Sequence, residues 1–184
     1  MSRPGGKKQR KAALEAQRRE EQIQIERVLG IIERAFDGVL PPDDEHRTLH
    51  QAEAWDGYRR VDQRRDHGGR WQDLPASHID ACPNALYHLD EQGIAYYLPA
   101  LMSHVVAGAS KGRYGADQSL RFTLQPATGD LKDHQSRRFS RLTLAQREAI
   151  LAFLEHVGAP EEERRPWRRV VDAGDDPRWF RRLY

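Results

Sequence analysis

His46, His50 and Glu53 stand at i, i+4 and i+7, so on a helix two imidazoles and a carboxylate would share one face, the donor set a divalent metal ion takes. The spacing alone is of low specificity. A zinc-protease helix carries glutamate directly after its first histidine, and here Arg47 stands in that place. A solvated helix face accounts for the three residues more simply, and they remain the metal candidates of a metal-dependent enzyme, the last of three functional readings. His78, Asp80 and Cys82 alternate within a segment that reads as helix, so their side chains diverge around it. Cys82 is the single cysteine, and with no local basic cluster to lower its pKa it reads as a small buried residue, not a nucleophile.

Other chemistries fare worse. The segment Gly108 to Gly115, GASKGRYG, places Ser110 and Lys111 before Gly112 and follows a helix, whereas a phosphate loop follows a strand and runs Gly, Lys, Ser or Thr into a helix. No G-x-S-x-G element is present for a serine hydrolase. Asp56, Asp62 and Asp66 lie among Arg59, Arg60, Arg64 and Arg65, which reads as a salt-bridged surface. The sequence therefore implies no cofactor and leans away from an enzyme.

Nucleic-acid binding has more behind it. Arg3, Lys7, Lys8, Arg10 and Lys11 form a basic arm suited to phosphate contact, and Arg164, Arg165, Trp167, Arg168, Arg169, Arg178, Trp179, Arg181 and Arg182 interleave guanidinium with indole. Six acids in the same tail, Glu161, Glu162, Glu163, Asp172, Asp175 and Asp176, nearly cancel that charge. Cancelled charge releases few counterions, so docking onto the domain or onto a protein is favoured for the tail, and weak nonspecific contact for the arm.

The most distinctive stretch is Ala85 to Ala100, ALYHLDEQGIAYYLPA. It reads as a β-hairpin in which Asp90, Glu91, Gln92 and Gly93 form the loop and Gly93 takes the left-handed conformation that closes it. Leu89 then faces Ile94 and Tyr87 faces Tyr96 on an apolar side; Leu86 with Tyr97 and His88 with Ala95 fall on the other. Pro99 starts a helix that carries Leu101, Met102, Val105 and Val106. Leu120, Phe122 and Leu124, alternating with Arg121 and Thr123, supply a third strand.

Four pieces of the chain carry a family resemblance: Trp71, Asp73, Leu74 and Pro75; Gly93, Tyr96, Tyr97, Leu98, Pro99 and Ala100; Asp117, Ser119, Leu120, Phe122, Leu124 and Pro126; and Phe153 with Leu154. Together they resemble a bacterial domain-of-unknown-function family with a W-x-[DE]-L-P loop, a G-x-x-YYLPA hairpin, a D-x-S-L-x-F-x-L-x-P strand and a closing helix ending in FL. The resemblance spans roughly Ile31 to Val157 and implies no activity. Where such a family often has a bulky or basic residue before the two tyrosines, this chain has Ala95.

Helices complete the frame. Ile25, Leu29, Ile32 and Phe36 form an apolar stripe ended by Asp37 and Gly38, with the polar Arg18, Arg19, Glu20 and Glu21 preceding it and residues 1–11 expected to be disordered. Asp43 or Asp44 is expected to cap a helix to about Val61 with Leu49, Ala52 and Trp55 as its apolar face. Thr143 and Gln146 form a capping box for a helix stopped by Gly158 and Pro160. A length of 184 residues, a formal charge of +2 and 32% charged residues fit one domain with extensions and give no overall bias toward anions. No apolar run approaches a membrane span, the start lacks a secretory apolar segment, and a cytoplasmic location is expected.

The expectation is an α+β domain over residues 23–158: a small antiparallel three-stranded sheet covered on one face by helices, with a basic N-terminal extension over 1–22 and a Trp-bearing charged tail over 159–184. Its expected function is a non-enzymatic protein-interaction module, with Leu86, His88, Tyr97 and Arg121 on the open side of the sheet as the partner surface. Nucleic-acid association through the arm is the alternative.

Overall fold

The computed structural model describes residues 5–57, 67–108 and 116–184. Among these residues lie eight α-helices and no strand: α1 (Gly5–Ala35), α2 (Leu49–Asp56), α3 (Ala76–Ala81), α4 (Glu91–Val106), α5 (Ala116–Leu124), α6 (Leu131–Phe139), α7 (Leu144–His156) and α8 (Glu161–Asp172). Short 3-10 turns occur at Trp71–Asp73, Ala85–Tyr87 and Trp179–Leu183. The expected α+β fold is thus corrected to an all-helical one.

The reason sits at Asp90. Its side chain accepts from the Gly93 N–H at 2.9 Å, which makes DEQG a helix N-cap and first turn instead of a hairpin loop. Gly93 is there for space, not for a left-handed turn: a Cβ would fall 2.8 Å from the Arg47 carbonyl oxygen and 2.8 Å from Leu89 Cδ2. Beyond it Ile94, Tyr96, Tyr97, Leu98, Pro99, Ala100, Leu101, Met102 and Val106 are all buried. A helix apolar on every side belongs in the centre of a domain, and α4 packs on α1, α5, α6 and α7. Tyr96 is buried in α4 and donates to the Gly69 carbonyl at 2.7 Å, with burial pushing its pKa up to about 12. Tyr87 lies apart in the Ala85–Tyr87 turn, so the two rings do not face each other across a hairpin.

The expected third strand is α5. Its buried residues are Ser119, Leu120, Thr123 and Leu124, a helical repeat, while Phe122 is exposed. Two small polar residues on the inner side and an aromatic on the outer side imitate the alternation of a strand.

Helix α1 begins at Gly5, inside the stretch expected to be disordered. Its second half buries Val28, Ile32 and Phe36 against α4 and α7, and Gly38 at φ +73° ends the run. The Thr143–Gln146 capping box of α7 is formed on both sides. Residues beyond Gly158 enter the same core. Trp167 is fully buried and donates to the Leu124 carbonyl at 2.8 Å, and Val170, Trp179 and Leu183 are buried with it. Arg147 on α7 donates to the carbonyls of Val170 at 2.7 Å and Gly174 at 2.9 Å, satisfying the C-terminal end of α8, and its guanidinium lies 4.5 Å from the centre of the Trp179 ring.

Two outcomes test this packing. Gly93→Ala is expected to lower stability by about 1–2 kcal/mol in urea denaturation, because overpacking against the Arg47 backbone, about 1–3 kcal/mol, outweighs a helix-propensity gain of up to about 1 kcal/mol. A stability gain would show that the close approach is absent. A chain ending at Gly158 is expected to lose cooperative unfolding, since it removes Trp167 and Trp179, each worth about 3–5 kcal/mol when truncated; an unchanged melting curve would remove the tail from the core.

Candidate functional site

Helix α2 is short, and its position is fixed at its N-terminal end. Thr48 and Gln51 form a reciprocal capping box at its start, and the Arg47 N–H just before it donates to Asp90 Oδ2 at 2.8 Å. Leu49 and Ala52 face the core. The polar residues of α2 then reach the segment that holds α3 and the Ala85–Tyr87 turn, from two sides.

On the inner side, His50 bridges α3. Its Nε2 lies 3.1 Å from His78 Nδ1 and its Nδ1 lies 3.2 Å from Cys82 Sγ. His78 lies on α3 and Cys82 caps its C-terminal end, so both reach His50, which the alternating pattern with Asp80 concealed. Glu53 accepts the Asn84 N–H at 2.9 Å. The two nitrogens of one imidazole engage different partners on opposite edges of the ring, so this relay does not converge on a common ion. Nor do the metal candidates meet: His46 precedes α2 and pairs with Asp43 at 2.6 Å. Among the described residues no group of three or more donors is arranged to hold a metal ion. The thiol and imidazole of Cys82 and His50 have the spacing of a nucleophile and its base, but Cys82 is buried, and a buried sulfur gives a substrate no approach. The relay pins α2 to α3.

The outer side is open. Arg47 donates through Nη1 to the His88 carbonyl at 2.8 Å, and its guanidinium lies 4.4 Å from the centre of the Trp55 ring. His88 Nε2 is 3.1 Å from Asp56 Oδ1. Arg138 donates to the Leu89 carbonyl at 2.8 Å and to the Leu86 carbonyl, so two guanidiniums close the C-terminal end of the Ala85–Tyr87 turn. Burial pushes the Arg138 pKa down to about 10. On the α5 side of that turn, Tyr87 meets Phe122 edge-on at 5.3 Å. Trp55 is 61% exposed and Phe122 62% exposed. His134 and Arg137 on α6 are exposed beside this cluster. Burial and then the cations Arg138, Arg137, Arg47 and His88 hold the His134 pKa below the usual histidine value. The outer side is therefore a cationic surface with aromatic rings on α2 and α5.

The four residues expected to share a sheet face are dispersed. Leu86 and Tyr97 are buried, Tyr97 lying edge-on to Tyr96 at 4.8 Å. Arg121 is bound through two nitrogens to Glu163 at 2.8 and 3.1 Å. His88 alone belongs to the surface just described. Of the basic arm, Arg3 lies outside the described residues, Lys7 and Lys8 fall in the first turn of α1, and Arg10 and Lys11 are exposed, Lys11 3.9 Å from Glu15. Residues 58–66, with Asp62 and Asp66, and residues 109–115 of the glycine-rich segment lie outside the described residues. Sequence reasoning set Trp55 on the packing face of α2 and Phe122 in a strand, both of which their exposure corrects, and gave no site role to Arg47, His134 or Arg137. A signal existed for Trp55: six positions after Leu49 it stands about 240° around the helix, off the Leu49–Ala52 face.

The Asp43–His46 contact gives this region a pH dependence. Its hydrogen bond lowers the Asp43 pKa from 3.8 and raises the His46 pKa from 6.5. The His46 contribution is full below pH 6.5 and is lost as pH rises through the raised value; the Asp43 contribution is full above pH 3.8 and is lost as pH falls through the lowered one. The expected result by NMR is a His46 midpoint above 6.5 that falls back in Asp43→Asn; a midpoint at or below 6.5 in the unaltered chain would show the contact is not held in solution.

No helix of the described residues is long and apolar enough to cross a membrane. No curated protein and no solved structure matches the chain. A family model does, over residues 24–173, which runs from the anchored half of α1 through the C-terminal end of α8 and takes in both sides of α2. The chain thus belongs to the family that this model describes as a family of unknown function, DUF6714.

Proposed function

We propose that the chain is a non-enzymatic protein-interaction module, working in the cytoplasm, whose outer α2 surface takes an acidic segment of a partner protein. The observation that carries this reading is the pairing of two exposed rings, Trp55 and Phe122, with Arg47, His88, His134 and Arg137 around the Ala85–Tyr87 turn. Exposed aromatic and arginine side chains are the groups that anchor protein interfaces, and among the described residues Arg47, Arg137 and Arg138, with His88 and His134 beside them, outnumber the carboxylates of Asp56 and Asp90, which sets the sign of the partner. The hydrogen bonds that Arg47 and Arg138 give to the turn hold the surface in one shape, so little ordering is needed on binding. A cytoplasmic location suits a chain whose single cysteine is a buried thiol.

The nucleic-acid alternative has weaker support in α1. The arm Arg3, Lys7, Lys8, Arg10 and Lys11 continues into Arg18 and Arg19, seven basic residues against Glu15, Glu20 and Glu21 and a net charge of +4 over residues 1–23, but no aromatic side chain lies among them to stack on a base, which supports only salt-sensitive contact without sequence readout.

Fluorescence anisotropy with three labelled probes tests the reading: a glutamate-rich peptide interrupted by two leucines, its lysine counterpart, and a single-stranded oligothymidine. The acidic peptide is expected to bind, to weaken with added salt and to raise the His134 pKa. Trp55→Ala and Arg137→Glu, neither of which alters the core, are each expected to lower that affinity by about five- to tenfold. No binding of the acidic peptide, or tighter binding of the oligothymidine, would overturn the proposal.

A further inference from the structure

The first half of α1 is a helix without a body beside it. Residues Gln9–Ile23 are exposed throughout, Leu14 to 49% and Ile23 to 56%, while from Ile25 onward the same helix is packed against the core. The stripe that α1 buries, Ile25, Val28 and Ile32, continues outward at the same spacing through Glu21, Arg18 and Leu14. Among the described residues, Arg18 and Glu21 make no hydrogen bond or ion pair, so this stretch of stripe ends on two unneutralised charges.

Those charges are inverted about their own centre. Arg18-Arg19-Glu20-Glu21 changes sign between Arg19 and Glu20. A second α1 laid antiparallel across that point by a two-fold axis brings Arg18 opposite Glu21 of the other copy and Arg19 opposite Glu20. The same operation brings Leu14 opposite Ile25, which is half-buried against the core and keeps part of its side chain open. The four stripe positions 14, 18, 21 and 25 therefore map onto themselves, apolar on apolar and cation on anion, which is the requirement for an isologous contact. Their spacings of four, three and four are those of a coiled-coil seam.

The pairing also meets a groove. Where α1 joins the body, Glu21, Gln24, Arg27, Val28 and Ile31 of α1 and Glu155 of α7 are among the residues that line an open cavity of about 470 Å³. In the register just given, Arg10 and Lys11 of the second copy come beside Leu29 and Val28, at the edge of this cavity, where Glu21 is an unpaired carboxylate among the described residues and Glu155 is held by Arg168 at 3.2 Å. Repetition of one sign along α1 would repel a second copy; this sequence instead alternates sign at the spacing that a two-fold contact uses.

We propose that the exposed half of α1 is a self-association element, pairing antiparallel with α1 of a second copy about a two-fold axis between Arg19 and Glu20. This contact is separate from the cationic surface of α2 and goes beyond the function proposed above. It leaves that surface free in both copies.

Sedimentation equilibrium of the full chain over a concentration series tests it. The unaltered chain is expected to show a reversible monomer–dimer equilibrium. The doubly substituted R18E/R19E and, separately, E20R/E21R each place like charges opposite one another and are expected to weaken the dimer by about tenfold or more. An equimolar mixture of the two variants restores four opposite-charge pairs and is expected to associate again, as a heterodimer. Both variants alter exposed residues only, and circular dichroism of each reports whether α1 remains helical. A monomer at every concentration, a dimer that neither reversal weakens, or a mixture that stays monomeric while both variants remain helical would overturn the proposal.

Discussion

The carboxylate of Asp90 is the group on which the arrangement turns. One oxygen accepts the Gly93 N–H and starts α4, the buried centre of the domain; the other accepts the Arg47 N–H and fixes the approach to α2. Because Gly93 has no side chain, the Arg47 backbone lies directly against the first turn of α4. Core and surface are thereby set by the same residue. The Arg47 side chain, once its backbone is placed, has the His88 carbonyl and the Trp55 ring within reach, and the outer surface follows from the start of the central helix.

Guanidinium groups do the same work at other helix ends. An all-helical domain leaves carbonyls unsatisfied at every C-terminus, and buried ones are costly without a donor. Arg138 satisfies the end of the Ala85–Tyr87 turn from α6, and Arg147 satisfies the end of α8 from α7. Each arginine gives more than one hydrogen bond across long separations in sequence, so it ties elements together that hydrophobic contact alone would let slide. Their positive charges are held by carbonyl dipoles, which offset the desolvation that lowers both pKa values. Arg138 also adds to the cationic character around His134.

Part of this was legible in the residues. The stripe Ile25, Leu29, Ile32 and Phe36, the Thr143–Gln146 capping box and the stop at Gly158 each depend on contacts a few residues apart, and each is present in the fold. The central helix was not legible, because DEQG before an aromatic pair satisfies the local rules of a four-residue hairpin loop as well as those of an Asp-capped helix. What separates the two is the Arg47 carbonyl, more than forty positions earlier in the chain. The α5 segment misled for a related reason: Ser119 and Thr123 are buried polar residues and Phe122 an exposed aromatic one, an inversion that only the neighbouring turn, with Tyr87 against Phe122, makes favourable. The candidate surface was out of reach because its members come from α2, α5, α6 and the turn between α3 and α4.

The two sides of α2 differ in how their groups meet solvent. On the inner side the titratable groups are engaged with one another and sheltered: His50 with His78 and Cys82, Glu53 with the Asn84 N–H. Such groups hold a helix in place through the bonds they make. On the outer side Trp55 and Phe122 are open to solvent. An aromatic ring held out from a rigid backbone costs the free domain solvation energy and does nothing for its core. A partner that covered the ring would offset that cost, which is the physical basis of the interaction proposed for this surface.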